Sequence, residues 1–235
     1  IQKPKNEFTE KAILKAANLN FENKNYETAL TEYCLLEQTA EISNHKLQAL
    51  LGAMECYYLL NKFDSTIIAS NKILALEKAD ENVSEKASYY LAKSLLKNGN
   101  SGQAIEEFKK LTNAKNTEYA SEAQYTLAEI QYNNIQLDEA EKIILEITSN
   151  PSSEFWLAKA FILWADIFKE RGNKIQAKQT LQSIIDNYEG DQSIIDEAQN
   201  KLNEINNKQS QEQKLQEQKL QEQKEAVDEI IIENK

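Results

Sequence analysis

Five small residues in step limit what this chain can fold into. Ala29, Thr66, Ala104, Ala140 and Ala177 follow one another at intervals of 37, 38, 36 and 37 positions. Twelve positions before each stands Ala17, Met54, Ala92, Ala128 or Ala165. Four positions after come Tyr33, Ser70, Phe108, Ile144 and Leu181, and seven after come Leu36, Ile73, Leu111, Ile147 and Ile184. In the fourth unit Ala120, Ala123, Leu127 and Ala128 lie at offsets 0, 3, 7 and 8, and Ala140, Ile143, Ile144 and Ile147 at 0, 3, 4 and 7. Both sets form one stripe of a helix with about 3.6 residues per turn. Each unit is therefore predicted to be two amphipathic helices joined by a short turn. Such a pair cannot bury its apolar faces alone, so the pairs must stack. The small residues let neighbouring helix axes approach.

A helix pair with a small residue at position 8, Ala at 20, a large apolar residue at 24 and an aliphatic at 27 resembles the tetratricopeptide repeat. The five units fit that template over residues 8 to 188, with Thr66 and Ser70 the departures in the second. The family's early Trp is absent at position 4, and Trp164 falls at position 7 instead. The resemblance implies an all-α fold, a right-handed superhelical solenoid of five such hairpins with a capping helix. It also implies a non-catalytic scaffold that holds a peptide or helix segment of another protein in its concave groove. The alternative is a structural stretch of a longer repeat array that mediates assembly. The stretch AKQTLQSIIDNYEGDQSIIDEAQNKLNEI at 177–205 is similar to the closing repeats of bacterial envelope scaffolds. That likeness points to the periplasmic side, with the cytoplasm as the alternative.

Composition fits this picture. Only 5 Gly and 2 Pro occur in 235 residues, and 41% of the chain is hydrophobic, so a core can form without many breaks. A net charge of −11 leaves no basic stripe for phosphates, so nucleic acid is not an expected partner. The same charge disfavours anionic membrane surfaces, and the longest apolar run, Ala49 to Leu60, is too short to span a bilayer. Cys34 and Cys56 read as small apolar side chains on adjacent helices; a disulfide would need their Cβ atoms within about 4 Å. The first residue is Ile1, which suggests a piece of a longer protein.

In chain order, residues 1–7 read as a lead-in and residues 8–207 as the repeat domain with its cap. Thr9 is the expected N-cap of the first helix. The turns at Asn23-Lys24-Asn25, Asn98-Gly99-Asn100, Asn133-Asn134 and Gly172-Asn173 offer Asn or Gly for the left-handed residue that ends a helix. Ser84 is the expected cap after a charged loop, and Pro151 separates the last two units. Ser193 and Asp196 have capping-box spacing, and Ile195, Ala198, Leu202 and Ile205 form one stripe of a closing helix ending near Asn207. The tail, 208–235, repeats QEQKL with a five-residue period that makes no continuous seam, so it is expected to be helical or disordered and solvated. Its ending VDEIIIENK is more apolar and could dock.

Little in the sequence points to catalysis. His45 is the one histidine, has no metal-ligand spacing around it, and is expected to be exposed. No phosphate loop or nucleophile elbow occurs, so no cofactor, metal or catalytic residue is expected. By the resemblance, positions 2, 5, 9 and 12 of each first helix line the groove. The candidates there are Tyr58, Lys86, Tyr89, Lys93, Tyr125, Glu129, Tyr132 and Asp166, a tyrosine track flanked by mixed charge. A cationic clamp for acidic tails is not expected, because Leu14, Gly52 and Tyr90 replace most of its residues. A monomer is favoured.

Overall fold

The computed structural model describes residues 7–76 and 80–233, with side chains through residue 219. The predicted lead-in up to residue 6, residues 78 and 79 of the charged loop and the side chains of the apolar ending fall outside these residues; the rest of that predicted loop is helical, because Asp80 caps a helix that begins at Glu81. Every element among the described residues is a helix: α1 (Glu7–Glu22), α2 (Tyr26–Thr39), α3 (Ser43–Leu59), α4 (Phe63–Leu74), α5 (Glu81–Lys97), α6 (Ser101–Leu111), α7 (Thr117–Asn133), α8 (Leu137–Ser149), α9 (Glu154–Glu170), α10 (Lys174–Asn187) and α11 (Gln192–Glu233). They form two compact units that divide inside α7, after Leu127.

In the first unit, consecutive helices pack as hairpins, and α1 also touches α3, as α3 touches α5. In the second, α8, α9, α10 and α11 pack in sequence, and α9 also touches α11. First helices therefore lie against first helices within each unit, which makes one face of each. All the template residues at positions 8, 20, 24 and 27 are buried, none more than 6% exposed. The periodic small residues are helix contact points, as expected. Ala17, Ala29, Tyr33, Leu36, Ala49, Ala53 and Cys56 share one core cluster. Ala165, Ala177, Leu181, Ala198 and Leu202 share another, which joins α9, α10 and α11.

Every hairpin turns in the same way. Lys24, Asn61, Gly99, Ile135 and Gly172 have positive φ, and they follow one another at the same 37, 38, 36 and 37 intervals. After each, the next N–H donates five residues back: Asn25 to Asn20, Lys62 to Tyr57, Asn100 to Leu95, Gln136 to Gln131 and Asn173 to Phe168, at 2.8–2.9 Å. This closes the carbonyls that a helix end leaves open. The sequence expectation placed Asn or Gly in the left-handed position throughout. Of the four turns expected, that holds at Gly99 and Gly172, while the first and fourth hairpins use Lys24 and Ile135; the second hairpin, for which no turn was named, uses Asn61.

Three helix starts differ from expectation. Thr9 lies inside α1, which has begun by Glu7. Asp80, not Ser84, caps α5, accepting the Val83 N–H at 2.8 Å; Ser84 already lies inside the helix. Asp191 accepts the Ser193 N–H at 2.8 Å, so α11 starts before the predicted capping box. The buried stripe of α11 then begins at Ile194 rather than Ile195 and runs through Ala198, Leu202 and Ile205. The helix does not stop at Asn207: α11 continues to Glu233. Its next turns are tied to α10, with Lys178 Nζ donating to Gln209 Oε1 at 2.5 Å and Lys174 to Glu212 at 2.6 Å.

His45 is not exposed. It is 8% exposed and its Nδ1 lies 2.8 Å from Oε2 of Glu10, itself 5% exposed. Glu10 also accepts the backbone N–H of Glu41 at 2.8 Å and of Ile42 at 3.4 Å. The α1 carboxylate thus holds the loop that leads into α3, and this buries the imidazole beside it. Cys34 and Cys56 are both free thiols. Burial pushes the Cys56 thiol up to about 12, which keeps it protonated and unreactive.

Candidate functional site: the face of the first helices

In the first unit this face carries a close aromatic cluster. Tyr58 of α3 meets Tyr90 of α5 edge to face, with ring centroids 5.2 Å apart. Tyr90 meets Tyr89 in the same way at 5.4 Å, and Tyr89 stacks on Tyr119 of α7 at 4.3 Å. Three successive first helices therefore join through their tyrosines. The join follows from the contact of α3 with α5, which brings Tyr58, late in α3, against Tyr90, near the middle of α5.

Charges complete the cluster. Lys93 Nζ lies 4.7 Å from the centre of the Tyr89 ring and 5.6 Å from that of Tyr58. It also donates to the Tyr89 hydroxyl at 2.8 Å and to Glu122 Oε1 at 2.7 Å. The Tyr89 hydroxyl in turn donates to Glu122 Oε2 at 2.7 Å. One turn earlier on α5, Lys86 pairs with Glu55 Oε1 at 2.5 Å, and the Tyr90 hydroxyl donates to Glu55 Oε2 at 3.3 Å. Burial first, then the hydrogen bond to Glu122, raises the Tyr89 phenol well above its ordinary value. Burial, then the Glu55 charge, does the same to Tyr90. Both remain neutral hydrogen-bond donors across the physiological range.

The sequence candidates thus have different settings. Tyr58, Lys86, Tyr89 and Lys93 come together in the first unit. Tyr125, on α7, is buried, 8% exposed. In the second unit Asp166 of α9 pairs with Lys201 of α11 at 2.7 Å and with Lys169 at 3.3 Å. Lys159 pairs with Glu197 at 2.9 Å, a second tie between α9 and α11. Tyr132 is half-buried, and burial, then the Asp166 charge, raises its phenol. Glu129 is half-buried on the same helix.

Tyr90 and Tyr119 were absent from the sequence candidates, although they hold the cluster together. Tyr119 falls two positions before the template begins, but it precedes Glu122 by three residues and so shares its helix face. That spacing was the available signal. In the sequence Tyr90 stands out only as a replacement for a cation.

Other features of the surface are less suited to a binding track. A cleft of about 610 Å³ between α9 and α10 is lined by Leu157, Phe161, Thr180, Ile184 and Tyr188, among others, and is confined to one hairpin. Among the described residues no group of three or more His, Cys, Asp or Glu could hold a metal ion. No described helix is long and apolar enough to cross a membrane.

Residues 155–190 match the family profile of the tetratricopeptide repeat. No curated protein matches the sequence. Among solved structures the chain is similar to YrrB, a TPR protein with an unusual peptide-binding site, at 19% identity and a TM-score of 0.54, covering 78% of this chain and 88% of that one. It is similar to MamA at 14% identity and a TM-score of 0.58, covering 79% and 95%. It is also similar to the Rap conjugation gene regulator of the plasmid pLS20, solved in complex with the Phr* peptide, at 17% identity and a TM-score of 0.51, covering 74% and 52%. At these identities the likeness is one of fold. The stacked hairpins have the fold of tetratricopeptide-repeat proteins, and residues 155–190 carry that family's sequence repeat.

Proposed function

We propose that this protein is a non-catalytic scaffold whose face of first helices holds a peptide or helix segment of another protein. The observation that carries the reading is the tyrosine cluster spanning α3, α5 and α7, with its lysines and carboxylates. Tyrosines present broad apolar area and a hydrogen-bonding tip while losing little rotamer freedom, which suits them to hold a partner. YrrB has a peptide-binding site and Rap was solved with a bound peptide, so the fold is compatible with this use. On this reading residues 8–207 form the binding domain and 208–235 a separate region, and the scaffold needs no cofactor.

Photo-crosslinking tests it. Peptides selected from a random display library against the full chain are bound to two variants that carry a crosslinking amino acid. One variant has it at position 58, inside the cluster; the other at position 68, on the exposed side of α4, where Ile68 is 69% exposed. Crosslinking at 58 and not at 68 is expected. Selected peptides that crosslink only at 68 would sink the groove reading.

A further inference from the structure

The cluster has the composition of a cation receptor, and the chain fills it with its own lysine. The ammonium of Lys93 faces the rings of Tyr58 and Tyr89 and touches Glu122. An aromatic face attracts a cation through its quadrupole, and the attraction grows as water is excluded. The Lys93 side chain is 24% exposed, so its head sits at the edge of the cluster and its flexible stem can swing outward. With Lys93 in place the charges balance: Lys86 with Glu55, Lys93 with Glu122. If the head leaves, Glu122 and two tyrosine faces stand without a cation at a surface of a chain whose net charge is −11.

We propose that a lysine or arginine side chain of the bound segment replaces the Lys93 ammonium over Tyr58 and Tyr89, beside Glu122. The partner recognised here is therefore basic. This rests on the binding reading above and gives it a chemistry. Lys93 acts as an internal plug that keeps the receptor filled until a stronger competitor arrives. A guanidinium competes well, because it can stack on a ring and offer two parallel N–H groups to one carboxylate. The chain's negative field also draws a basic segment toward it.

The experiment uses the full chain and three blocked tripeptides, Gly-Arg-Gly, Gly-Gln-Gly and Gly-Glu-Gly, followed through the tyrosine ring resonances. In Lys93→Met the arginine peptide is expected to bind about tenfold more tightly than in the unaltered chain. Adding Glu122→Gln should remove that gain, and the glutamine and glutamate peptides should gain nothing. Equal binding of the arginine peptide to the unaltered chain and Lys93→Met overturns the proposal. If Lys93→Met does not fold, the unaltered chain still decides the matter. The arginine peptide must then shift the Lys93 ammonium resonance, and an unmoved resonance at saturation overturns the proposal. The two readings fail separately. Library peptides that crosslink at position 58 yet bind Lys93→Met no better overturn the cation site and leave the groove. A tenfold arginine gain, with library peptides crosslinking only at 68, leaves the cation site and sinks the groove.

Discussion

Two residues sit where their type conflicts with their conformation or leaves no room for change. Ile135 has φ of 62° and is 83% exposed. A β-branched side chain in the left-handed region crowds the backbone and costs about 1–2 kcal/mol. Neighbouring turns use Gly99 and Gly172 at the same point. Ile135→Gly is therefore expected to stabilise the chain by about 1 kcal/mol, part of the relief being offset by the freer unfolded glycine. A higher urea midpoint at an unchanged slope would show it; a lower midpoint would mean the exposed isoleucine is held by a contact. Gly52 is the opposite case. A Cβ there would lie 2.4 Å from the ring of Tyr33, whose hydroxyl donates to Asn18 at 2.7 Å. The ring is only 4% exposed and cannot move freely. Gly52→Ala should cost about 1–3 kcal/mol by overpacking, read in the same denaturation experiment.

Between elements, one device recurs. Glu10 at the start of α1 accepts the N–H groups of Glu41 and Ile42 in the loop before α3. Glu85 on α5, at the equivalent position of its repeat, accepts those of Lys115 and Asn116 before α7, at 2.6 and 3.1 Å. The Glu10 carboxyl is held below its ordinary value, chiefly by the Glu41 N–H and then by His45. A carboxyl lowered in the folded state contributes stability above its unfolded pKa and loses it as pH falls through the folded value. The melting temperature should therefore fall less on acidification from about pH 5 to pH 3 in Glu10→Gln than in the unaltered chain. At neutral pH the variant should melt lower. Thermal melts followed by circular dichroism decide this, and parallel pH curves would rule out the clamp as a source of acid sensitivity. The elements also exchange bulk along the stack. Tyr33 lies over Gly52, and the same two repeat positions one hairpin later hold Ser70 and Tyr90. The small residue at Ser70, which broke the expected pattern, is matched by a large one on the next helix. Tyr90 packs on the cluster of Leu50, Met54, Ala69 and Ile73.

For the molecule as a whole, the testable question is how far the tail belongs to the fold. Beyond the buried stripe of α11, its described contacts with α10 are the part-buried hydrogen bond of Lys178 to Gln209 and the exposed pair of Lys174 with Glu212. Leu215 is 54% exposed. Exposed pairs of this kind contribute about 0–1 kcal/mol. Removing residues 208–235 should lower the melting temperature by only a few degrees and reduce the helical signal, with a monomer by light scattering before and after. A change of oligomeric state on truncation would instead favour the assembly reading. The phase of the repeats was legible because the same four positions are buried in every hairpin, and burial selects residue type directly. Tyr58, Tyr89 and Lys93 were legible because each falls at a groove position of the template on its first helix, Tyr58 on α3 and Tyr89 and Lys93 four residues apart on α5. The mutual contacts of Tyr90, Tyr119 and Glu55 were not, since they depend on how far one first helix is rotated against the next.

The sequence by itself determined the all-helical hairpins, their register and their small contact residues, because each follows from periodicity within a short window. Only the tertiary structure decided that His45 is buried, that Lys24 and Ile135 take the left-handed turns, and that tyrosines of α3 and α5 are gathered around a lysine. The first and last of these arise where side chains about 30 residues apart meet, and the turns are set by how each hairpin closes rather than by residue type at that one position. A pattern along one helix shows which face is apolar; it does not show what that face will touch.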